Sequence, residues 1–247
     1  MSTLLITNKS DFDMKHHRFE RDGIVSEVFL MDCMDGMKMY PEKYFDLACV
    51  DPPYGIGIAN MNMGIGKTKK ASKAKNRKWK PKDWDKNTPT EAYFVEVRMV
   101  CIDLIIWGGN YFNLHPCKHY IIWDKEIPNG LSFADCEFAW TSFNNAPRMF
   151  RHSAYLDKKG KFHPTQKPVA LYDWIFKNYA KPRQKILDTH LGSGSSRIAA
   201  EKSGLHFVGF EIDEEYFNAS IERFENHVKQ PRLQLEVREL PEQKNLL

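Results

Sequence analysis

Four consecutive residues, Asp51-Pro52-Pro53-Tyr54, combine a carboxylate, two imino acids that lack N–H groups and an aromatic ring. The Asp51 carboxylate and the Pro52 carbonyl can accept both N–H bonds of a single amine, with the proline ring fixing the backbone that carries them. An amine conjugated to an aromatic ring is a poor nucleophile because its lone pair is delocalised. Two acceptors on its hydrogens favour a more tetrahedral nitrogen, and fixed dipoles of this kind stabilise the positive charge that develops there. Tyr54 adds a face on which the ring bearing the amine can stack, worth about 1–3 kcal/mol for a nucleobase. Asp and Pro also favour ordinary turns, so what singles this tetrapeptide out is its place at the end of the apolar run Phe45 to Val50.

A second constellation runs from Ile186 to Glu211, in the order strand, glycine turn, helix, strand, acid. In a doubly wound sheet such a unit brings backbone close to a nucleoside, and the acid at the second strand's end accepts both ribose hydroxyls. In Gly192-Ser193-Gly194-Ser195-Ser196-Arg197 an arginine stands where the dinucleotide fingerprint has its third glycine. A nucleoside without a pyrophosphate fits this turn better than a dinucleotide.

The elements that position these groups follow from apolar patterning. Val25 to Met31 reads as a buried strand ending at Asp32 and followed by a loop, and Phe45 to Val50 as a strand that Pro52 and Pro53 terminate. Thr88-Pro89 reads as a helix start, with Phe94, Val97, Cys101 and Leu104 following at helical spacing. Ile105 to Trp107, Tyr120 to Trp123 and Phe138 to Thr141 read as strands, and residues 144–162 as a polar connection. Pro168 suits the first turn of a helix through Leu171, Trp174, Ile175 and Tyr179. Lys185 to Leu187 and His206 to Phe210 are strands flanking a helix closed by Gly204, and Asp213 caps a last helix. Strands alternating with helices predict an α/β fold, a doubly wound, mostly parallel sheet covered on both faces. The organisation read from this is an arm or edge element over 1–24, one domain over 25–228, and a polar tail over 229–247.

The net charge of +4 hides a concentration of cations. Lys67, Lys69, Lys70, Lys73, Lys75, Arg77, Lys78, Lys80 and Lys82 fall in one stretch without an acid, inside a glycine-led insertion over 60–87. The rest of the chain is net acidic, so the positive field is local and suits a polyanion. Trp79 and Trp84 are available there for stacking. Arg148, Arg151 and His152 form a smaller basic cluster within 144–162, a candidate segment for target recognition. Five scattered cysteines with no Cys-x-x-Cys spacing suggest neither a disulfide framework nor a zinc ribbon, which fits a reducing cytoplasm. There is no apolar run of membrane-spanning length, and the chemistry above calls for no metal.

With these motifs in hand, the chain resembles the amino-methyltransferases of DNA that share a DPPY motif. DPPYGIG at Asp51, HPTQKP at His163, LDTHLGSGS at Leu187 and FVGFEID at Phe207 stand in the order of the permuted β class, in which the catalytic half precedes the cofactor half. The strings LIIWGGNYF and YIIWDK are similar to those of small bacterial and phage adenine methylases. The resemblance covers roughly residues 25–228. It implies a Rossmann-like fold, S-adenosylmethionine as cofactor and transfer to adenine N6 of a flipped-out base in double-stranded DNA. N4-cytosine is the alternative target, followed by RNA adenine or a catalytically silent DNA-binding subunit. Asp51, Pro52, Pro53 and Tyr54 are implied for catalysis. The implied cofactor set is Asp32, Cys33, Asp51, His163, Thr165, Lys167, Asp188, Gly192, Ser193, Gly194, Ser195, Glu211 and Ile212, with Asp32 near the adenine, Thr165 and Lys167 near the cofactor carboxylate and Glu211 on the ribose. The basic residues from Lys67 to Lys80, with Arg148 and Arg151, are the expected DNA contacts. The resemblance also allows a homodimer and a cognate restriction endonuclease. His190 is a departure, standing where many relatives carry Pro or a small residue.

Overall fold

In the computed structural model, which describes residues 15–58, 82–127, 134–153 and 161–230, the apolar runs become one nine-stranded sheet. The strands are β1 (His16–Arg21), β2 (Ile24–Leu30), β3 (Phe45–Val50), β4 (Cys101–Trp107), β5 (Tyr120–Asp124), β6 (Cys136–Thr141), β7 (Arg148–Arg151), β8 (Lys185–Asp188) and β9 (His206–Glu211). The helices are α1 (Cys33–Met37), α2 (Glu91–Val100), α3 (Val169–Tyr179), α4 (Ser195–Lys202) and α5 (Glu214–Val228). The order across the sheet is β1-β2-β9-β8-β3-β4-β6-β5-β7.

From β2 through β9, β8 and β3 to β4 every neighbouring pair is parallel. β6 runs antiparallel between β4 and β5, while β1 closes one edge as the antiparallel partner of β2. The chain leaves β3 toward β4 on one side and leaves β8 toward β9 on the other. The loops that follow β3 and β8 therefore diverge, and a crevice opens beyond the carboxyl ends of the strands.

Burial on both faces explains the apolar runs Leu47 to Val50, Leu104 to Trp107 and Ile186 to Leu187 within β3, β4 and β8. Leu47, Cys49, Ile105, Trp107 and Ile186 pack on one face with residues of α3, α4 and α5, among them Leu171, Ile175, Ala199 and Phe217. Ala48, Val50, Leu104, Ile106 and Leu187 pack on the other face with Met37 of α1 and Tyr93, Phe94 and Val97 of α2. Both layers are needed because a strand buried on two faces has no polar side.

The arginine that breaks the dinucleotide fingerprint is structural. Arg197 is fully buried in α4, where it donates to the Ser26 hydroxyl (2.9 Å) and packs over the Phe224 ring (3.9 Å), fastening β2 and α5 to the glycine-turn helix. Burial takes its pKa down to about 9.

Three readings of the sequence need correction. The helix expected to carry Cys101 and Leu104 ends at Val100, where the Cys101 N–H bonds the Val97 carbonyl, and both residues lie in β4. Pairing of Cys101 to Ile106 along β3 overrides a spacing that also suits a helix. The polar connection over 144–162 contains β7, a short strand parallel to β5. A helix, α1, follows Asp32 directly, and the Asp32 carboxylate caps it by accepting the Met34 N–H at 2.7 Å. Lys67, Lys69, Lys70, Lys73, Lys75, Arg77, Lys78 and Lys80 lie outside the described residues. Among the described residues no helix is long and apolar enough to cross a membrane.

Candidate active site

A cavity of about 280 Å³ lies at the carboxyl ends of β2, β3, β8 and β9. It brings together most of the residues predicted from sequence: Asp32, Cys33, Asp51, Pro53, His163, Thr165, Lys167, Gly192, Ser193, Ser195, Glu211 and Ile212 all line it. Pro52, Tyr54, Asp188 and Gly194, also expected at the site, are not among the residues that line it. Tyr172, Thr189, His190 and Tyr216 also face the cavity and were not read as site residues, and Trp84, read as available for stacking from the basic insertion, faces it too.

The turn after β8 is held from both sides. Asp188 accepts the His190 N–H at 3.0 Å and the Ser196 hydroxyl at 2.5 Å. Glu211, at the end of β9, accepts the Gly192 N–H at 2.8 Å through one oxygen and the Asp213 N–H at 2.9 Å through the other. Gly192 has φ +50°, a left-handed conformation that suits glycine. Arg223 donates to the Ser193 carbonyl (2.8 Å) and the Ser195 hydroxyl (2.9 Å), which in turn donates to the Lys167 carbonyl (2.8 Å). These donors are neutral apart from Arg223, and burial pushes Asp188 up to about 6 and Glu211 up to about 7.

His163 is wedged between the rings of Tyr216 (4.3 Å between centroids) and Trp84 (5.2 Å). Burial, reinforced by Lys167, Lys161 and Lys82, takes its pKa down to about 3, so it is a neutral wall of the cavity at physiological pH. Trp84 comes from the end of the insertion, whose described edge is tied down. Asp85 is buried and accepts the Gly55 and Ile58 N–H groups at 2.9 and 2.7 Å, and Lys82 pairs with Asp213 (2.5 Å) and Glu215 (2.9 Å).

On the β3 side the arrangement is ionic. The Lys167 Nζ lies 2.5 Å from Asp51 Oδ2, 3.1 Å from Glu137 Oε2 and 3.3 Å from the Tyr54 hydroxyl. Tyr54 donates to Asp51 Oδ1 at 2.7 Å. Glu137, on β6, is held from its other oxygen by Lys125 at 2.6 Å. Burial pushes Asp51 up against the pull of Lys167. Burial would raise Glu137 too, but Lys167 and Lys125 bring it down to about 2. Burial works against the Lys167 charge, and the two carboxylates more than reverse this, so its pKa is raised.

The Tyr54 ring stacks on Tyr111 at 4.9 Å and 13°, and Tyr111 is 45% exposed. Gly108 permits this, since a Cβ there would lie 2.2 Å from the Tyr54 ring and its φ is +72°. Sequence reasoning missed Glu137, Lys125 and Tyr111. A lone acid at the start of the apolar run Phe138 to Thr141 was the one local sign of Glu137. Arg148 and Arg151 lie on the edge strand β7, where Arg151 pairs with Asp124 at 3.3 Å.

Comparison with known proteins bears on this geometry. Residues 106–222 match the family model N6_N4_Mtase, described as DNA methylase. That span holds the glycine turn and Glu211. Type II methyltransferase M2.DpnII of Streptococcus pneumoniae is 27% identical over 144 residues, covering 58% of this chain and 49% of that protein. The match thus spans about half of that relative's length. The putative methylase YubD of Escherichia coli (strain K12) is 25% identical over 215 residues, covering 78% of this chain and 87% of the relative. Among solved structures, an M1.HpyAVI–SAM complex superposes with a TM-score of 0.53 at 19% identity, covering 80% of this chain and 98% of that one. The PvuII DNA methyltransferase (cytosine-N4-specific) gives 0.53 at 13% identity, covering 82% and 90%. These two share the fold. The matched family model, two methylase relatives and a mostly parallel sheet with its crevice at the switch point agree in likening the chain to the N6-adenine/N4-cytosine DNA methylases.

Proposed function

We propose that the chain transfers a methyl group from S-adenosylmethionine to N6 of an adenine extruded from double-stranded DNA. The observation that carries this reading is that Asp51 and Pro53 line the same cavity as Gly192 and Glu211, so an amine held by the tetrapeptide meets a nucleoside held by the turn. An aspartate rather than a serine at the first position of the motif favours adenine over cytosine.

The chemistry of the donor set fits the cofactor. Asp32 and Glu211 place carboxylates at the ends of neighbouring strands, each with lone pairs left after its backbone bonds. Glu211 at about 7 is a buried acid short of donors, which two ribose hydroxyls would supply. Thr165, Ser193 and Ser195 offer hydroxyls to the amino-acid end. When bound, S-adenosylmethionine supplies a methyl group on a positively charged sulfur, an activated electrophile.

Asp51 and the Pro52 carbonyl hold the amine N–H bonds and aim the nitrogen lone pair into the cavity, so alignment does most of the work. Transfer would break the methyl carbon's bond to sulfur, leaving a thioether, as its bond to nitrogen formed; the nitrogen would then carry one proton too many, and Asp51 is the group placed to accept it. Lys167 favours the ionised form of Asp51 before that moment, against the burial that raises its pKa. The Tyr54 ring is backed by Gly108 and stacked on Tyr111, so an extruded base that takes the place of Tyr111 on the ring offsets part of its unstacking cost there.

The test is transfer of labelled methyl from S-adenosylmethionine to unmethylated duplex DNA, followed by hydrolysis to nucleosides. Label in N6-methyladenine, lost in Asp51→Ala with DNA binding retained, is the expected result. Label in N4-methylcytosine would overturn the choice of base. No transfer to any DNA would overturn the activity.

A further inference from the structure

We propose that Glu137 is a positioning residue for this transfer: by sharing the Lys167 ammonium with Asp51, it keeps that cation from saturating the Asp51 carboxylate, which stays able to accept the target amine. This rests on the reading above, in which Asp51 grips the amine, and adds to it a residue from a different part of the sheet.

An ammonium has three N–H donors. Those of Lys167 are matched by three oxygens: Asp51 Oδ2, Glu137 Oε2 and the Tyr54 hydroxyl. With the lysine side chain only 2% exposed, water has little room to replace any of them. Take Glu137 away and a buried cation is left with Asp51 as its one carboxylate, drawn closer and holding the lone pairs that the amine needs. Glu137 is itself half satisfied by Lys125 through its other oxygen, so it attracts Lys167 without stripping it from Asp51.

The result is an alternating row, Lys125, Glu137, Lys167, Asp51, drawn from the end of β5, from β6, from the loop before α3 and from the end of β3. The row is electrically neutral. As a device for stability alone it is poorly chosen, because well-packed apolar residues do as well or better than buried ion pairs. What four alternating charges provide is a fixed direction and a fixed basicity for the last one, Asp51, which lines the cavity together with Lys167.

Single-turnover methyl transfer measured against pH tests this. The groups facing Asp51 are Lys167, Glu137, Tyr54, Tyr172, Asp188 and Cys49. Glu137→Gln removes a like charge, so Asp51 ionises at lower pH and the acid limb of the profile moves down. Lys125→Met leaves Glu137 less compensated, so the limb moves up. The plateau rate of Glu137→Gln falls about 10- to 100-fold through misplacement of the acceptor, with Kd for cofactor and for DNA unchanged, and Glu137→Asp recovers part of it. A plateau and limb that stay put in both variants overturn the proposal. So does a loss that follows Tm in both variants with no displacement of the limb, the signature of a purely structural role. If Glu137→Gln does not fold, the upward shift in Lys125→Met carries the test by its presence or absence. No transfer by the unaltered protein overturns the parent reading and this proposal together, whereas transfer by the unaltered protein with an unmoved variant profile overturns this proposal alone.

Discussion

Asp51 and Glu211 occupy equivalent places, each just after or at the carboxyl end of a parallel strand and each facing one cavity, yet their surroundings differ in kind. Asp51 sits in a row of alternating full charges. Glu211, like Asp188 beside it, is held by backbone N–H or hydroxyl donors. In the first arrangement burial still raises the carboxylate, but the Lys167 ammonium pulls against it and favours the ionised form that an acceptor for an amine must have. The second leaves acids with raised pKa values, waiting for donors that a ligand brings. Where the partner is a transient amine the protein supplies the counter-charge itself. Where the partner is a polyhydroxylated ligand, the site is completed on binding.

The largest effect should come from removing the acceptor. Asp51→Ala should lower methyl transfer by about 10²–10³-fold, the scale of losing one fixed electrostatic group at a reacting atom, while cofactor binding measured by calorimetry is retained. Loss of cofactor binding in proportion would show that the two sides of the cavity are not separable. Next in size, Lys167→Met should destabilise the fold by about 3–5 kcal/mol, because it leaves two buried carboxylates facing each other. Denaturant unfolding checks this. A cost below about 1 kcal/mol would mean that water or a rearranged Lys125 replaces the ammonium, and would dissolve the contrast with the Glu211 side.

The contrast also explains what the sequence could reveal. β3, β8 and β9 are legible because two-sided burial demands mostly apolar runs, and each run ends beside an acid or a glycine turn that stops it. Phe94, Val97, Cys101 and Leu104 misled because their spacing suits a helix and, after Val100, a strand equally well; only pairing with β3 decides. In Arg148–Arg151 two arginines enclose Met149 and Phe150, too short a run to read as a strand without β5 beside it. The neutral-donor side of the site was legible because its parts are local: the Gly192 N–H reaches Glu211 within one strand-turn-helix-strand unit, 19 residues apart. The ionic side was not, since Lys167 and Asp51 are separated by 116 residues and nothing near Glu137 announces either partner.

A finer test of the neutral-donor side uses pH. Glu211 is raised to about 7, so below that pH it is largely protonated, and a ligand whose hydroxyls donate to the ionised form must first expel the proton. Binding of S-adenosylmethionine should therefore tighten about tenfold from pH 6 to pH 8 and level off above, following the ionised fraction. Asp188, raised to about 6, contributes to the lower part of that range. Glu211→Gln separates the two, leaving weaker binding with most of the pH dependence gone. Calorimetry in buffers of different ionisation enthalpy reads the proton release directly. A flat profile in the unaltered protein would show that Glu211 is already ionised and that its side of the cavity resembles the Asp51 side.

The smallest effect expected lies outside the cavity, on the edge strand β7. Arg151 pairs with Asp124 through side chains that are 69% and 33% exposed, an ion pair worth about 0–1 kcal/mol and easily exchanged for a phosphate. Arg148 starts the same edge strand, three residues earlier and so on the opposite face of the sheet. If each meets one phosphate, replacing both with alanine should make the slope of log K against log salt shallower by about 1.8, or 0.9 per contact. Between 50 and 200 mM salt that amounts to about three- to fourfold in affinity per arginine. Methyl transfer at saturating DNA should not change, because neither residue lines the cavity. A slope that stays the same would remove β7 from the DNA-facing surface. A fall in the saturated rate would instead link this edge to the charged row, since Asp124, the partner of Arg151, immediately precedes Lys125.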